Sequence, residues 1–221
     1  MNEPSTLRFE LPGRWGRINL ATPASIQRSI RRVLDEVTNR RDDLATPRAE
    51  LRQRFQKAAE IARDGGATDF YVGLNIVPQV PLPAWISVFV PDVEGDEFRA
   101  LGLAELAEFL ERGMPDWGDA DAAVHSGTTG SSGEIRAVRH SWRRTEEVVE
   151  GEVERRFEFI EADYWLAARE PNRLALLTFS TALAEYEEEM LALFDAVVST
   201  IRWPAPRPAE PAEPTASAAG R

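Results

Sequence analysis

Two long runs of strand-forming residues, Ile135 to Val149 and Val153 to Ala168, are split only by Glu150-Gly151-Glu152. They predict a long antiparallel β-hairpin. No other feature restricts the fold as much, because strands of this length must pair within a sheet and bury at least one face. Val138, His140 and Trp142 alternate onto one face of the first strand. In the second, Phe157 and Phe159 share one face, and Ile160, Ala162, Tyr164 and Leu166 share the other. The switch near Ile160 means either that both faces are buried or that a β-bulge intervenes.

The remaining elements fall around this hairpin. Leu7 to Leu20 reads as two short strands about a Pro12-Gly13 turn. Thr22 or Ser25 can cap a helix, with Pro23 tolerated in its first turn. Ile26, Ile30, Val33 and Val37 give that helix an apolar stripe, and Leu51, Phe55, Ala58 and Ala62 give a second one after Thr46-Pro47. Residues 25–63 are therefore one bent helix or a helical pair, stopped at Gly65-Gly66. Phe70 to Val77 and Trp85 to Val90 are paired strands, the first apolar on both faces. Gly95 to Met114 reads as a helix, and Pro115 to Gly133 as a long loop holding a short strand near Ala122 to His125. Leu174 to Thr181 is a last strand, and about Ala184 to Arg202 a closing amphipathic helix. The expected organisation is one α+β domain over residues 1–203, with a Pro/Ala/Glu-rich, disordered or polyproline-like tail over residues 204–221.

Composition excludes several classes. Six Trp and ten Phe supply a sizeable core, and zero Cys removes disulfides and thiolate metal sites. No apolar run approaches ~18 residues, so no membrane insertion is expected. The net charge of −11 opposes binding to nucleic acid, which needs a basic surface to displace phosphate counterions. Charge is also polarised: residues 25–63 carry +4 and residues 145–195 carry −10. Such polarity can steer a partner, although most charge runs are solvated faces. Lys57 is the only Lys among 26 basic residues, a bias of GC-rich genomes that points to an actinobacterial source. The opening MNEPSTLRFELPG has no basic segment followed by an apolar one, so the expected compartment is the cytoplasm.

Catalytic motifs are absent. There is no GxSxG elbow, and no GxGxxG follows a strand. Gly127 to Gly133, GTTGSSG, lacks the Lys that a phosphate loop requires. The two His, His125 and His140, have no second His at metal spacing. Glu158, Glu161 and Asp163 share a strand, with Glu158 and Asp163 on opposite faces unless a bulge intervenes. Asp116, Asp119 and Asp121 lack the bidentate Glu of a calcium loop. No metal, no cofactor and no enzymatic activity are expected.

The segment Phe9 to Leu20, FELPGRWGRINL, is similar to the start of Mog1/PsbP-like domains. So is the end, Leu174 to Trp203, where a last strand, a short turn and an amphipathic helix close on FDAVVSTIRW. The two ends span about forty residues, and the middle agrees in element order. The resemblance implies a three-layer α/β/α sandwich around a central antiparallel sheet. It also implies an accessory protein, adaptor or regulator that binds a larger assembly; it brings no catalytic residue.

Three functional expectations follow from these residues. An adaptor would meet an unidentified protein partner through basic Arg28, Arg31 and Arg32. A small-ligand carrier or enzyme would use a pocket between sheet and helices, lined by His140, Trp142 and the loop near Trp117. A homodimer would leave apolar surface on Ile26, Ile30 and Val33.

Overall fold

In a computed structural model, the structure describes residues 7–38, 45–77, 80–91, 123–127, 135–150, 153–168 and 173–202. The predicted helix at Gly95 to Met114, most of the loop after it including Trp117, and the tail lie outside the described residues. The chain has an α+β fold.

Among the described residues eight strands form one antiparallel sheet: β1 Arg14–Ile18, β2 Asp69–Val77, β3 Val80–Pro81, β4 Ala84–Phe89, β5 Ala123–Gly127, β6 Ile135–Glu150, β7 Val153–Ala168 and β8 Arg173–Thr181. Their order is β1-β2-β4-β8-β7-β6-β5, with β3 attached to β2. The β6–β7 pairing is continuous from Ile135↔Ala168 to Glu150↔Val153. There is thus no bulge at Ile160, and of the two readings left open it is the burial of both faces that holds. Phe159, Ile160, Glu161, Ala162, Asp163 and Tyr164 are all buried in succession. A single register keeps strict alternation, so Glu158 and Asp163 do lie on opposite faces.

Among the described residues the helices are α1 Pro23–Thr38, α2 Ala45–Asp64 and α3 Glu187–Ser199. Thr22 and Ser25 cap α1 reciprocally: Ser25 N–H donates to Thr22 Oγ1 at 3.1 Å, and Thr22 N–H to Ser25 Oγ at 2.8 Å. Two donors at the helix start are satisfied this way, with Pro23 at the first helical position. α2 ends where Gly66 takes φ 83°, while Gly66 N–H bonds Arg63 O and Ala67 N–H bonds Ala62 O. This left-handed cap favours glycine. At Gly16 a Cβ would stand 2.5 Å from Val33 Cγ2, so only glycine lets α1 approach β1 this closely.

Two apolar cores result. One joins Ile26, Ile30, Val33 and Leu34 of α1 and Phe55, Ala59 and Ala62 of α2 to Phe70, Val72 and Leu74 of β2. The other joins Met190, Phe194, Val197 and Val198 of α3 to alternate residues of β4, β7 and β8, including Ile86, Tyr164 and Phe179. Phe179 stacks against Phe194 at 4.6 Å and meets Tyr164 edge-on at 5.2 Å.

Three expectations are corrected. The segment before Pro12-Gly13 is not a strand beside β1. Its backbone partners lie after α3: Arg8 and Arg202 exchange two hydrogen bonds at 3.0 and 2.7 Å, and Glu10 N–H bonds Thr200 Oγ1. The closing helix starts later than Ala184, because Leu183 and Tyr186 hold non-helical angles and a 3-10 turn over Ala184–Tyr186 intervenes. Ile26 and Ile30 are 0% exposed and Val33 is 3% exposed. They are covered by this chain's own sheet and α2, so the proposed dimer face on them does not exist.

Candidate functional site

Alternation places Trp85 and Ser87 of β4, Thr178 and Ser180 of β8, Glu161, Asp163 and Trp165 of β7, and Val138, His140, Trp142 and Arg144 of β6 on the sheet face opposite α3. Register aligns them in transverse rows. Ser87, Thr178, Asp163 and His140 stand opposite one another across four strands, and Trp85, Ser180, Glu161 and Trp142 form the next row. Neighbours in a row are about 4.8 Å apart between strands. The middle of this sheet face is therefore polar, where a sheet interior is ordinarily apolar.

Burial here is deep: Glu161 is 7% exposed, Asp163 5% and His140 7%. Glu161 is well partnered. Arg144 Nε donates to its Oε1 at 2.9 Å, and Ser180 Oγ donates to the same oxygen at 3.0 Å. Burial still pushes its carboxyl up, against the lowering effect of those two bonds. Arg144 also lies over the Phe159 ring at 4.6 Å and bonds Glu146, which Lys57 of α2 meets at 3.1 Å. The Lys57 bond, opposed by burial, holds Glu146 below the usual carboxylate range.

Asp163 differs. Burial pushes its carboxyl up to about 6, the Glu161 charge adds to this, and the Thr178 hydroxyl opposes it. Asp163 Oδ1 and Trp165 Nε1 are buried without a hydrogen-bond partner among the described residues. A buried polar atom left this way costs on the order of 1–3 kcal/mol, so such atoms are rare in folded proteins. His140 stacks beside Trp142 with ring centroids 5.0 Å apart. Burial lowers its pKa, which keeps the imidazole neutral near pH 7.

The predicted pair His140 and Trp142 is thus brought together, while Trp117 lies outside the described residues. Arg28, Arg31 and Arg32 are elsewhere. They are exposed on α1 and line a shallow, open groove with Asp35 and Glu36. α1 packs on β1, five strands from β6, which is about 24 Å across the sheet. These are two separate candidate surfaces. Arg144, Thr178 and Ser180 were not singled out in the sequence, and Trp165 was read there as a core Trp of a strand. The available signal was the pair of hydroxyls alternating in LALLTFST, in phase with the acids of β7.

Among the described residues no group of three or more His, Asp or Glu could hold a metal ion, and no helix is long and apolar enough to cross a membrane.

No protein-family model matches the chain, and no curated protein matches it. Among solved structures it is similar to LpqN, involved in cell envelope biogenesis of Mycobacterium tuberculosis. The identity is 9%, over 90% of this chain and 84% of that one, with a TM-score of 0.40. A likeness this slight transfers no function.

Proposed function

We propose that the chain is a non-enzymatic binding or accessory protein, an adaptor or regulator that works in the cytoplasm through protein contacts. The reading carries with it the Mog1/PsbP-like sandwich. The antiparallel sheet, the helical pair against one set of its residues and the closing helix against the alternate set support that architecture.

The observation that carries the functional reading is how α1 is held. Its apolar stripe is locked into the core, so its opposite side is fixed outward. Arg31 and Arg32 on that side are exposed and form no ion pair among the described residues, and Arg28 only touches its own helix at Ala24 O. Exposed guanidiniums on a fixed helix, in a groove shared with Asp35 and Glu36, suit a carboxylate-bearing protein surface. An open groove suits a protein better than a small molecule, which needs enclosure.

The test is mild crosslinking and affinity purification of the tagged protein from its own host, followed by mass spectrometry. A stoichiometric partner, lost on Arg28→Glu, Arg31→Glu and Arg32→Glu together, is the expected outcome. A clean monomer with no partner would remove the constitutive-adaptor reading.

A second reading, a small-ligand carrier, is favoured by one specific observation: the buried, incompletely partnered Asp163 and Trp165 on the polar sheet face.

A further inference from the structure

The charges on that sheet face do not balance, and the imbalance has a location. Glu146 has Lys57 and Arg144. Glu161 has Arg144 and the Ser180 hydroxyl. Arg54 lies over the Phe157 ring at 4.3 Å. Asp163 is the buried carboxylate of this face with no cation among the described side chains. Thr178 supplies it only a hydroxyl, and its Oδ1 has no partner. Its neighbour two residues along the same face, Trp165, holds an indole N–H that likewise has no partner among the described residues.

These two atoms ask for complementary things. An ionised carboxylate oxygen withdrawn from water requires a donor, and a positively charged one by preference. The indole N–H can only donate, so it requires an acceptor. Cα atoms at i and i+2 of a strand are about 6.8 Å apart, a span that a molecule of a few heavy atoms bridges. Aromatic rings border the place: Trp165 itself, and Trp142 beside His140 in the adjoining rows. A cation gains further from a ring face when it is shielded from water.

We propose that the Asp163–Trp165 end of the polar face binds a small organic amine that also carries a hydrogen-bond acceptor, such as an amino alcohol. The ammonium donates to Asp163 Oδ1, and the acceptor receives the Trp165 indole proton. The proposal rests on the small-ligand reading and is independent of the α1 docking surface. A divalent metal does not fit the same place, because an indole N–H is no ligand and the second acid, Glu161, is already engaged by Arg144. A trapped water could bridge the two atoms, but it would leave the carboxylate charge without a counterion.

The test uses the full chain and two probes, ethanolamine and the neutral diol ethylene glycol, with the indole N–H signals followed by NMR at pH 7.5. Trp165→Phe identifies the Trp165 signal. The expected result is a saturable shift of that signal by ethanolamine below about 50 mM, within reach of so small a ligand. Asp163→Asn, which keeps the shape and removes the charge, is expected to weaken binding by roughly tenfold or more, as for loss of a charge-assisted hydrogen bond. Lowering the pH to 5 acts in the same direction in the parent chain. A saturable shift with ethylene glycol but not ethanolamine overturns the amine and keeps the small-ligand reading. No saturable shift with either probe overturns both, and an ethanolamine shift unchanged in Asp163→Asn overturns the assignment to this carboxylate.

Discussion

The two faces of the β6–β7–β8 sheet both bury charged groups, and they treat them differently. On the α3 side, Asp195 accepts from Tyr164 Oη at 2.5 Å and from Arg139 Nη1 at 2.7 Å. Each oxygen of this carboxylate has a donor, although Arg139 Nε is itself buried with no partner among the described residues, and the pair ties the helix to the strands beside an aromatic core. Burial, then Asp195, pushes the Tyr164 hydroxyl well above its ordinary pKa, so it remains a donor. On the other side, Glu161 is satisfied but Asp163 and Trp165 are not. Polar groups that finish their bonds within the chain explain a fold. Polar groups that do not are where a ligand reading becomes testable.

The largest expected effect probes the α3 side. Phe194 of α3 is fully buried against Phe179 of the sheet. Phe194→Ala should destabilise the protein by about 3–5 kcal/mol, from lost transfer energy plus a cavity. Urea unfolding measures this. A loss under 1 kcal/mol, or about what a surface site gives, would mean that α3 is not docked as described.

The Asp163 prediction comes next, and its sign is opposite. The folded state holds this carboxyl near 6 against an ordinary 3.8. It therefore binds its proton more tightly when folded. That contribution is fully present below pH 3.8 and is lost as pH rises through about 6. Asp163→Asn should then be more stable than the parent at pH 7, by on the order of 3 kcal/mol, with the gain vanishing near pH 4. Thermal unfolding from pH 4 to 7.5 decides it. A destabilised Asn variant at pH 7 would mean that the carboxylate has a cationic partner after all, and the contrast between the faces would close.

How far the sequence reveals this contrast depends on the type of signal. Periodicity marks α1, β6, β7 and β8 within a residue or two, because alternation and the 3.6-residue repeat follow from backbone geometry. It also puts His140 and Trp142 on one face, as observed. The strand expected before Pro12 fails because its backbone partners are 190 residues away at Thr200 and beyond. The transverse rows fail to show for the same reason. Which β8 residue stands opposite Asp163 is fixed by inter-strand register, and that depends on the whole sheet. Glu158, Glu161 and Asp163 were legible as acids of one strand, but the unequal partnering of Glu161 and Asp163 by Arg144 was not. The same holds for Ile26 and Ile30, whose stripe fits a dimer face or a core equally well until the sheet is placed against it.

Asp195→Asn sharpens the other side of the comparison with a smaller effect. It removes the charge that serves Arg139 and leaves the Tyr164 bond a neutral acceptor. The expected cost is about 1–3 kcal/mol, nearer the lower figure because the Asp195 side chain is 27% exposed. Unlike Asp163→Asn, it should destabilise at pH 7. Two Asp→Asn changes on opposite sides of one sheet, at Asp195 of α3 and Asp163 of β7, moving stability in opposite directions at one pH, would be direct support for the distinction between a structural and an unfinished buried acid.

The smallest stability effect belongs to α1 and separates docking from folding. Arg31 and Arg32 touch no ion-pair partner among the described residues, while the stripe behind them is fully buried. Arg31→Glu with Arg32→Glu should shift stability by about 0.5 kcal/mol or less, as for other surface substitutions, and should leave the Trp165 signal unmoved. Partner capture should nevertheless fall, since reversing two charges places like against like at the contact. Loss of capture with a large loss of stability would assign these arginines to the fold. Loss of capture at unchanged stability assigns them to recognition, on a surface four strands, about 19 Å, from Asp163 and Trp165 of β7.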